Sequence, residues 1–313
     1  MRTDPHLRKL TDALKETLTR CAHDPDVDVV HDTRTGTRRI EAALEAKLRN
    51  AGVQHGDEND LLAKAVRDWE RLLKRVRRAA APVRDLDVHR KLLKKLVPSS
   101  KEGTEQSQDA AGDARVSQAW RLDDALHAER EKHAAPLKKS AAKWAEKLEE
   151  HFSVFAEALG QKPALRRRKP DAAVMALDAF ARLATQMLQL NAGNLHDFRK
   201  GAKKARYMAE AGGEDEYAGA VGKALKRLQD EIGDWHDWLI LAEESRDILG
   251  DEGAQLTVEI ERIRDSHYET AIKVAGRMRG KLMGEWLGTR RPGRRASRIE
   301  MKKDNRIMPE HNS

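Results

Sequence analysis

The segment VHDTRTGTRRIEAAL (residues 30–44) decides the fold class, because its cationic and apolar residues separate onto two sides of a helix. With about 100° between successive residues, His31, Arg34 and Arg38 fall within about 60° of one another. The apolar residues in the second half of the segment lie on the opposite side. The segment therefore predicts an amphipathic helix that packs with one side and presents a cationic stripe about 10 Å long on the other.

A second segment, LHDFRKGAKKARYMA (residues 195–209), repeats this pattern and aligns with the first without a gap. The aligned pairs are His31 with His196, Asp32 with Asp197, Arg34 with Arg199, Arg38 with Lys203, and Arg39 with Lys204. In the second copy, Arg206 and Tyr207 share the cationic side, and Lys200 lies at its margin. The first stripe is defined as His31, Arg34, Arg38 and Arg39. The second stripe is defined as His196, Arg199, Lys200, Lys203, Lys204, Arg206 and Tyr207.

A weaker match supports the same repeat. RVRRAAAPVRDLDV (residues 75–88) and RLQDEIGDWHDWLI (residues 227–240) follow the two stripe segments in the same order. Two matching blocks in one order predict an internal duplication, with repeat one over residues 5–160 and repeat two over residues 170–288.

The composition and the spacing of apolar residues both indicate a helical protein. Hydrophobic residues make up 39% of the 313 residues, charged residues 36% and aromatic residues only 4%. This balance is typical of helices with narrow apolar stripes, and the length allows one large core or two modest ones. Apolar residues recur every three or four positions along most of the chain, so the predicted fold class is all-α.

Capping residues, glycines and prolines divide the chain into ten predicted helices. Asp24 with Pro25 is expected to begin the second helix, Pro82 to separate two helices, Pro136 to kink or break a long one, and Gly233 to end another. The predicted helices cover residues 7–18, 25–50, 60–80, 82–98, 113–159, 171–191, 194–211, 215–232, 235–249 and 254–287.

Three segments are predicted to lie outside the helices. Residues 99–112 are polar and glycine-rich, which is typical of a mobile loop. Residues 161–169 are predicted to form a basic linker. Residues 289–313 are rich in Gly, Pro and Arg, which is typical of a basic disordered tail.

Cysteine usage and hydropathy limit the class of protein. Cys21 is the only cysteine, which excludes an intrachain disulfide and a thiolate metal cluster. The N-terminal residues contain no apolar stretch typical of a signal peptide, and no segment reaches the ~20 apolar residues that a membrane span needs. These features predict a cytoplasmic protein without a membrane partner.

The two stripes carry positive charge that acidic residues on the same face would balance in an ordinary solvated helix. Lys and Arg outnumber Asp and Glu by 60 to 52, which gives a net charge of +8 but does not identify a partner by itself. Exposed helices usually place Glu four residues from Lys or Arg, whereas neither stripe has an acidic residue among its cations until Glu41 or Glu210. Stacked like charges cost a few tenths of a kcal/mol each, so the pattern favours an anionic partner over a merely solvated surface.

The residues 31–39 (HDTRTGTRR), 196–207 (HDFRKGAKKARY), 84–88 (RDLDV) and 228–234 (LQDEIGD) together resemble the CHAD family, whose name stands for conserved-histidine alpha-helical domain. The resemblance spans about residues 5–288. It implies two related helical bundles with pseudo-twofold symmetry around a central basic groove or pore that binds inorganic polyphosphate. It also implies a non-catalytic protein that needs no cofactor and that associates with polyphosphate granules.

This resemblance, together with the helical pattern, predicts that the residues of both stripes contact polyphosphate. Repeat two departs from repeat one at Lys203 and Lys204, because lysine lacks the bidentate fork that arginine offers to phosphate oxygens. The pair His236-Asp237 also stands where Asn-Asp is common in the family.

Two other functions remain open. The His-Asp pairs at residues 31–32, 196–197 and 236–237 can also indicate a metal phosphohydrolase, but Arg and Lys on the same face as the first two pairs repel a cation, so no metal site is predicted. The pI near 9.5 and the basic tail allow non-specific binding of nucleic acid. The stripes themselves carry almost no aromatic residues on which bases could stack.

Overall fold

The computed structural model describes residues 4–96, 110–161, 171–210, 212–213 and 215–290. Across these ranges every regular element is helical and none is a strand, which confirms the all-α prediction. The α-helices are α1 (Pro5–His23), α2 (Val27–Asn50), α3 (Leu61–Leu93), α4 (Ala110–Gly160), α5 (Ala172–Gln186), α6 (Leu195–Glu210), α7 (Glu216–Leu249) and α8 (Ala254–Arg290). A short 3-10 helix, Gly250–Gly253, joins α7 to α8.

The chain forms two compact units, each made from two stretches of sequence. Unit 1 comprises Met1–Lys169 and His236–Asp265, and unit 2 comprises Pro170–Trp235 and Ser266–Ser313. The long helices α7 and α8 are therefore each divided between the two units. Residues 236–265, which the sequence repeat assigns to the second half, belong to unit 1, and the duplication itself stays a prediction.

The main core of unit 1 lies among α1, α2, α3 and α4. Trp69 of α3 is fully buried, and its ring meets Phe152 and Phe155 of α4 edge-on, at centroid distances of 6.1 and 5.7 Å. Such aromatic pairs contribute about 0.5–1.5 kcal/mol beyond the burial of their area. Leu7 and Leu14 of α1 complete this core at helical spacing.

A second apolar cluster in unit 1 joins the end of α3 to the beginning of α4 and to parts of α7 and α8. Leu86 of α3, Leu122 of α4 and Leu241 of α7 are buried in it. Gln118 of α4 fixes the beginning of α8, because its side-chain oxygen accepts a hydrogen bond from the Leu256 N–H at 3.1 Å.

The core of unit 2 forms where α5 packs on α6. Phe180 of α5 and Phe198 of α6 are buried with their ring centroids 5.8 Å apart. Arg279 of α8 closes the C-terminal end of α5, because its guanidinium donates to the carbonyl oxygens of Met187 and Leu188 at 3.0 and 2.9 Å. These carbonyls would otherwise lack the partners that an interior helical residue has.

Two of the predicted helix ends are wrong, because α3 continues through Pro82 and α7 through Gly233. Of the kink or break predicted at Pro136, the break is wrong, because α4 continues through this residue as one long helix. A proline inside a helix removes one hydrogen bond and costs about 3 kcal/mol. In α3 the packing outweighs this cost, because Val76 lies in the main core and Leu86 in the second cluster, on opposite sides of the proline. Each such buried side chain contributes roughly 1.5–3 kcal/mol that a broken helix would forfeit.

Some helix ends also differ from the prediction. Asp26, not Asp24, caps α2, because its carboxylate accepts hydrogen bonds from the N–H groups of Asp28 and Val29 at 2.9 and 2.8 Å. The helix predicted over residues 171–191 ends at Gln186, where Met187 leaves the helical conformation.

Parts of the segments predicted to be non-helical are helical. Residues 110–112 belong to α4 and residues 288–290 belong to α8. The remainder of the 99–112 loop, nearly all of the 161–169 linker and residues 291–313 of the tail lie outside the described residues. No helix within the described ranges is both long enough and apolar enough to cross a membrane.

Candidate anion-binding site

The helix α2 presents the first stripe on the side turned away from the core of unit 1. Ile40 and Leu44 are fully buried on one side of the helix. On the other side His31 and Arg39 are exposed, and the two remaining cations of the stripe are half-buried. This is the amphipathic arrangement that the sequence predicts, and burial of the apolar side fixes the rotation of the helix.

Arg34 is held against the neighbouring helix α3. Its Nη1 donates to the carboxylate of Asp85 at 2.7 Å and to the carbonyl oxygen of Ala81 at 3.3 Å. The Arg34 side chain is only 19% exposed, whereas that of Asp85 is 58% exposed. Arg34 is therefore fixed in position, and an anion that reaches it meets a carboxylate as well.

Ion pairs show that α2 and α3 run antiparallel along the first stripe. Arg34 meets Asp85, while Glu41, two turns later on α2, meets Arg77 of α3 at 2.5 Å. Glu41 thus ends the cationic stretch where the sequence predicts, and Arg77 neutralises that carboxylate.

His31 lies in a positively charged environment at the other end of the stripe. Partial desolvation lowers the pKa of His31 although the residue is exposed, and the charges of Arg84 and Arg34 lower this pKa further. Asp32 acts in the opposite direction. Near neutral pH the histidine is therefore neutral in the unliganded protein.

The helix α6 presents the second stripe in the same way in unit 2. Phe198, Ala202 and Ala205 are fully buried on one side, whereas Lys200 and Lys204 are exposed on the other. The half-buried members of the stripe are His196, Arg199, Lys203, Arg206 and Tyr207.

Arg199 is fixed by α7, the next long helix in the sequence. Its Nε donates to the carbonyl oxygen of Gln229 at 3.0 Å. A carbonyl partner leaves the full positive charge of the guanidinium in place, unlike the carboxylate that Arg34 meets in unit 1.

His196 of the second stripe is surrounded by cations of its own helix. Desolvation is the largest cause that lowers the pKa of His196, and the charges of Lys200, Arg199 and Lys203 lower it further. Asp197 partly offsets them. The two aligned histidines thus share a depressed pKa with the same physical cause.

Some cations of the second stripe are paired within the protein. Lys200 meets Asp197 at 3.0 Å, and Arg206 meets Glu210 at 3.1 Å. The guanidinium of Arg206 also lies over the ring of Tyr207, 5.0 Å from its centroid. The scarcity of acidic residues among the stripe cations therefore does not leave every cation unpaired, since Arg34, Lys200 and Arg206 each meet a carboxylate.

Comparison with family models gives a match to the CHAD domain over residues 5–246, which is most of the chain and includes both stripes. The chain belongs to the CHAD family. The match stops within α7, whereas the resemblance in the sequence was traced to about residue 288. Comparison with curated proteins gives no match.

The stripes of this CHAD domain retain exposed cations despite the internal pairs. Within the described part of the chain, Arg39 and Lys204 form no ion pair, and these two residues occupy aligned positions. Arg38 and Lys203, the other aligned pair, are half-buried on the same helix faces.

The aligned arginines of the CHAD domain make related contacts. Arg34 bonds to the carbonyl oxygen of Ala81 on α3, and Arg199 bonds to that of Gln229 on α7. In the second pair of matching sequence blocks, Ala81 aligns with Gly233, one helical turn after Gln229. The two arginines therefore bond to backbone carbonyls of corresponding helices, at positions one helical turn apart in the alignment.

Arg84 is a cation of this site that the sequence analysis missed. Its charge lies close enough to His31 to lower the pKa of that histidine. Arg84 begins the RDLDV motif, which is a signal in the sequence, but a helix end predicted at Pro82 places Arg84 on a different helix from Arg77. In the continuous α3, Arg84 directly precedes Asp85, the partner of Arg34, and this places its charge within electrostatic range of His31.

A metal phosphohydrolase, the alternative that the three His-Asp pairs allow, needs several metal ligands close together. Among the residues that the structure describes, no group of three or more His, Cys, Asp or Glu side chains is arranged to hold a metal ion.

Proposed function

We propose that this CHAD-domain protein binds inorganic polyphosphate, without turning it over, through the first and second stripes. The observation that carries the proposal is the placement of the stripes on α2 and α6. Each stripe lies opposite a fully buried apolar face, so the protein presents aligned His, Arg and Lys residues from two helices whose rotation is fixed.

The chemistry of polyphosphate fits such a surface. The polymer is a flexible string with about one negative charge per unit and no bases to stack, so it needs a row of cations rather than a shaped pocket. Each exposed contact is weak in water, but several contacts on one polyanion release counterions together and their effects accumulate. Arg34 and Arg199 supply fixed guanidinium groups, and the exposed cations Arg39 and Lys204 add charge.

Cations lie close to the histidine of each stripe, which supports the binding of an anion there. The pKa of His31 is lowered in part by Arg84 and Arg34, and that of His196 in part by Lys200 and Arg199. The same crowding of cations that disfavours a protonated histidine favours a bound anion.

We also infer that the two stripes arose by internal duplication. The aligned arginines Arg34 and Arg199 each donate to a backbone carbonyl of the helix that carries the second matching block, α3 or α7, and this similarity supports the inference. Under the same proposal, binding to the polymer would retain the protein on polyphosphate granules.

The proposal is tested by titrating the full chain with long-chain polyphosphate at physiological salt while orthophosphate release is measured with and without Mg²⁺. We expect saturable binding without release. We also expect the logarithm of the affinity to fall linearly with the logarithm of the salt concentration, with a slope of about 0.7–0.9 for each phosphate contact, by analogy with nucleic acids.

Competition separates this function from the alternatives. Duplex and single-stranded DNA at equal phosphate concentration should displace polyphosphate poorly. Equal displacement by DNA would favour a nucleic-acid-binding protein. Release of orthophosphate that requires Mg²⁺ and is lost in His31→Ala or His196→Ala would favour a phosphohydrolase.

A further inference from the structure

Gly233 lies beneath the guanidinium of Arg199. A Cβ atom built on this glycine would come within 2.6 Å of Nη2, 3.1 Å of Cζ and 3.2 Å of Nε of Arg199. Contacts with three guanidinium atoms at once mean that the group packs directly against the backbone of α7 at Gly233. The Nε atom is held there by the carbonyl oxygen of Gln229, one turn earlier.

The backbone at Gly233 does not itself require glycine. The residue lies inside α7, and the glycines with positive φ in the described residues are Gly52, Gly213 and Gly250. Glycine weakens the interior of a helix relative to alanine. The feature that Gly233 contributes is therefore the missing side chain.

The other half of the chain shows what happens where the side chain is present. Ala81 aligns with Gly233 and carries a Cβ atom. There Arg34 bonds through Nη1 to the Ala81 carbonyl and to the carboxylate of Asp85. The difference between alanine and glycine thus accompanies a difference in how the aligned arginine is held.

We propose that Gly233 is a positioning residue for phosphate binding by the second stripe, because its missing side chain lets the Arg199 guanidinium pack directly against α7. With Nε bound to Gln229, the guanidinium keeps one orientation and its Nη groups serve as donors to phosphate oxygens. The inference rests on the proposed function in one respect, namely that the bound anion is polyphosphate.

The direct test is Gly233→Ala in the full chain. Since the atoms that the new methyl group meets are the far end of a flexible side chain, Arg199 should move and the protein should stay folded. We expect the melting temperature to rise, because alanine favours the helix, while the affinity for long-chain polyphosphate falls about three- to tenfold. Gly219→Ala is the matched control, because it lies on the same helix with nothing within 4 Å of its Cβ atom. It should raise stability without changing affinity.

A double-mutant cycle distinguishes positioning of Arg199 by Gly233 from a general structural effect of the substitution. In an Arg199→Ala background, Gly233→Ala should cause no further loss of affinity. An equal loss in both backgrounds would show that Gly233 acts through something other than Arg199 and would overturn the proposal.

A second readout needs no polyphosphate. In the unliganded protein, the Arg199 Nε–H signal should be protected from exchange with water, and Gly233→Ala should remove this protection while Gly219→Ala preserves it. An unchanged Arg199 signal in Gly233→Ala would refute the positioning role. Failure of the unaltered protein to bind polyphosphate would instead refute the proposed function.

Discussion

Arg34 shares its guanidinium with a carboxylate of the same protein. The pair with Asp85 is 2.7 Å long, and the Asp85 side chain is 58% exposed, so a phosphate group must share Arg34 with it or displace it. An exposed ion pair contributes only ~0.2–1 kcal/mol, which makes displacement feasible. The carboxylate nevertheless lowers the local positive potential.

Asp85→Asn is therefore expected to tighten binding of long-chain polyphosphate about two- to fivefold, because a change of 1.4 kcal/mol corresponds to about tenfold in affinity. The measurement is a titration at constant pH and salt. Asp68→Asn is the matched control, since it removes the same charge from the same helix, where Asp68 pairs with Arg71 at 2.7 Å. Equal tightening by both variants would show that only net charge matters and would contradict a specific role for Asp85.

The two stripe histidines predict how binding depends on pH. Desolvation and neighbouring cations lower the pKa of His31 and of His196 in the unliganded protein. A bound polyanion stabilises the protonated ring and raises the same pKa values, so binding takes up protons. Affinity should therefore increase as the pH falls from about 7.5 to about 6, by roughly three- to tenfold.

His31→Gln combined with His196→Gln should flatten this dependence while leaving binding at pH 7.5 nearly unchanged. The lowered pKa has the opposite consequence for the unliganded protein. Its unfolded state takes up protons more readily than its folded state, so these two histidines reduce the free energy of unfolding as the pH drops below about 6.5. An affinity that is independent of pH in the unaltered protein would contradict the proposed role of the histidines.

At the scale of helices, a buried ion pair ties α4 to α3 and to the beginning of α2. Arg130 of α4 donates to the carboxylate of Asp87 at 2.7 Å and to the carbonyl oxygen of Pro25 at 2.6 Å. The side chains of Arg130 and Asp87 are 10% and 1% exposed. These contacts of Arg130 fix the N-terminal end of α2, close to where the first stripe begins.

Arg130→Met should lower the free energy of unfolding by about 3–5 kcal/mol, because it leaves the buried carboxylate of Asp87 without a charged partner. Urea denaturation measures the change. Arg121→Met removes an exposed pair with Glu252 and should cost less than about 1 kcal/mol. Adding Asp87→Leu to Arg130→Met should recover much of the loss. Similar losses for Arg130→Met and Arg121→Met would show that the buried pair does not hold the helices.

The sequence predicts the elements that carry the stripes better than it predicts their neighbours. The faces of α2 and α6 follow from local spacing, because a single helix separates its apolar and cationic residues whatever it packs against. The continuity of α3 through Pro82 does not follow, because it depends on two apolar clusters that only the folded chain brings to one helix.

In the candidate site, too, some features follow from local sequence spacing and others depend on how distant helices pack. The members of both stripes could be predicted from their repeat. The proximity of Arg84 to His31, the pair between Arg34 and Asp85, and the glycine beneath Arg199 depend on the register of two helices far apart in sequence. Local periodicity carries no information on that register.

At the scale of the whole molecule, the net charge of +8 is small beside the 60 basic residues, so the placement of charge decides what the protein binds. Many cations are neutralised by ion pairs within the fold, Arg130 and Arg34 among them. Under the proposed function, a long polyanion engages more cations than a short one does, because each added contact on the same polymer increases the affinity.

The final prediction is that both stripes act on one polymer. Arg34→Ala with Arg38→Ala, and separately Arg199→Ala with Lys203→Ala, should each weaken binding of long-chain polyphosphate by more than about tenfold, because losing either stripe removes the multivalent gain. Tripolyphosphate has too few phosphate groups to gain from many simultaneous contacts, so each double variant should change its binding only about twofold. The control is Arg294→Ala with Arg295→Ala in the C-terminal segment, which should change the affinity for the long polymer little at physiological salt.

Two outcomes would contradict this prediction. If each stripe variant lost only half of the binding sites and kept its affinity unchanged, the stripes would bind separate polymer molecules. If the C-terminal variant lost more affinity than either stripe variant, the stripes would not be the anion site.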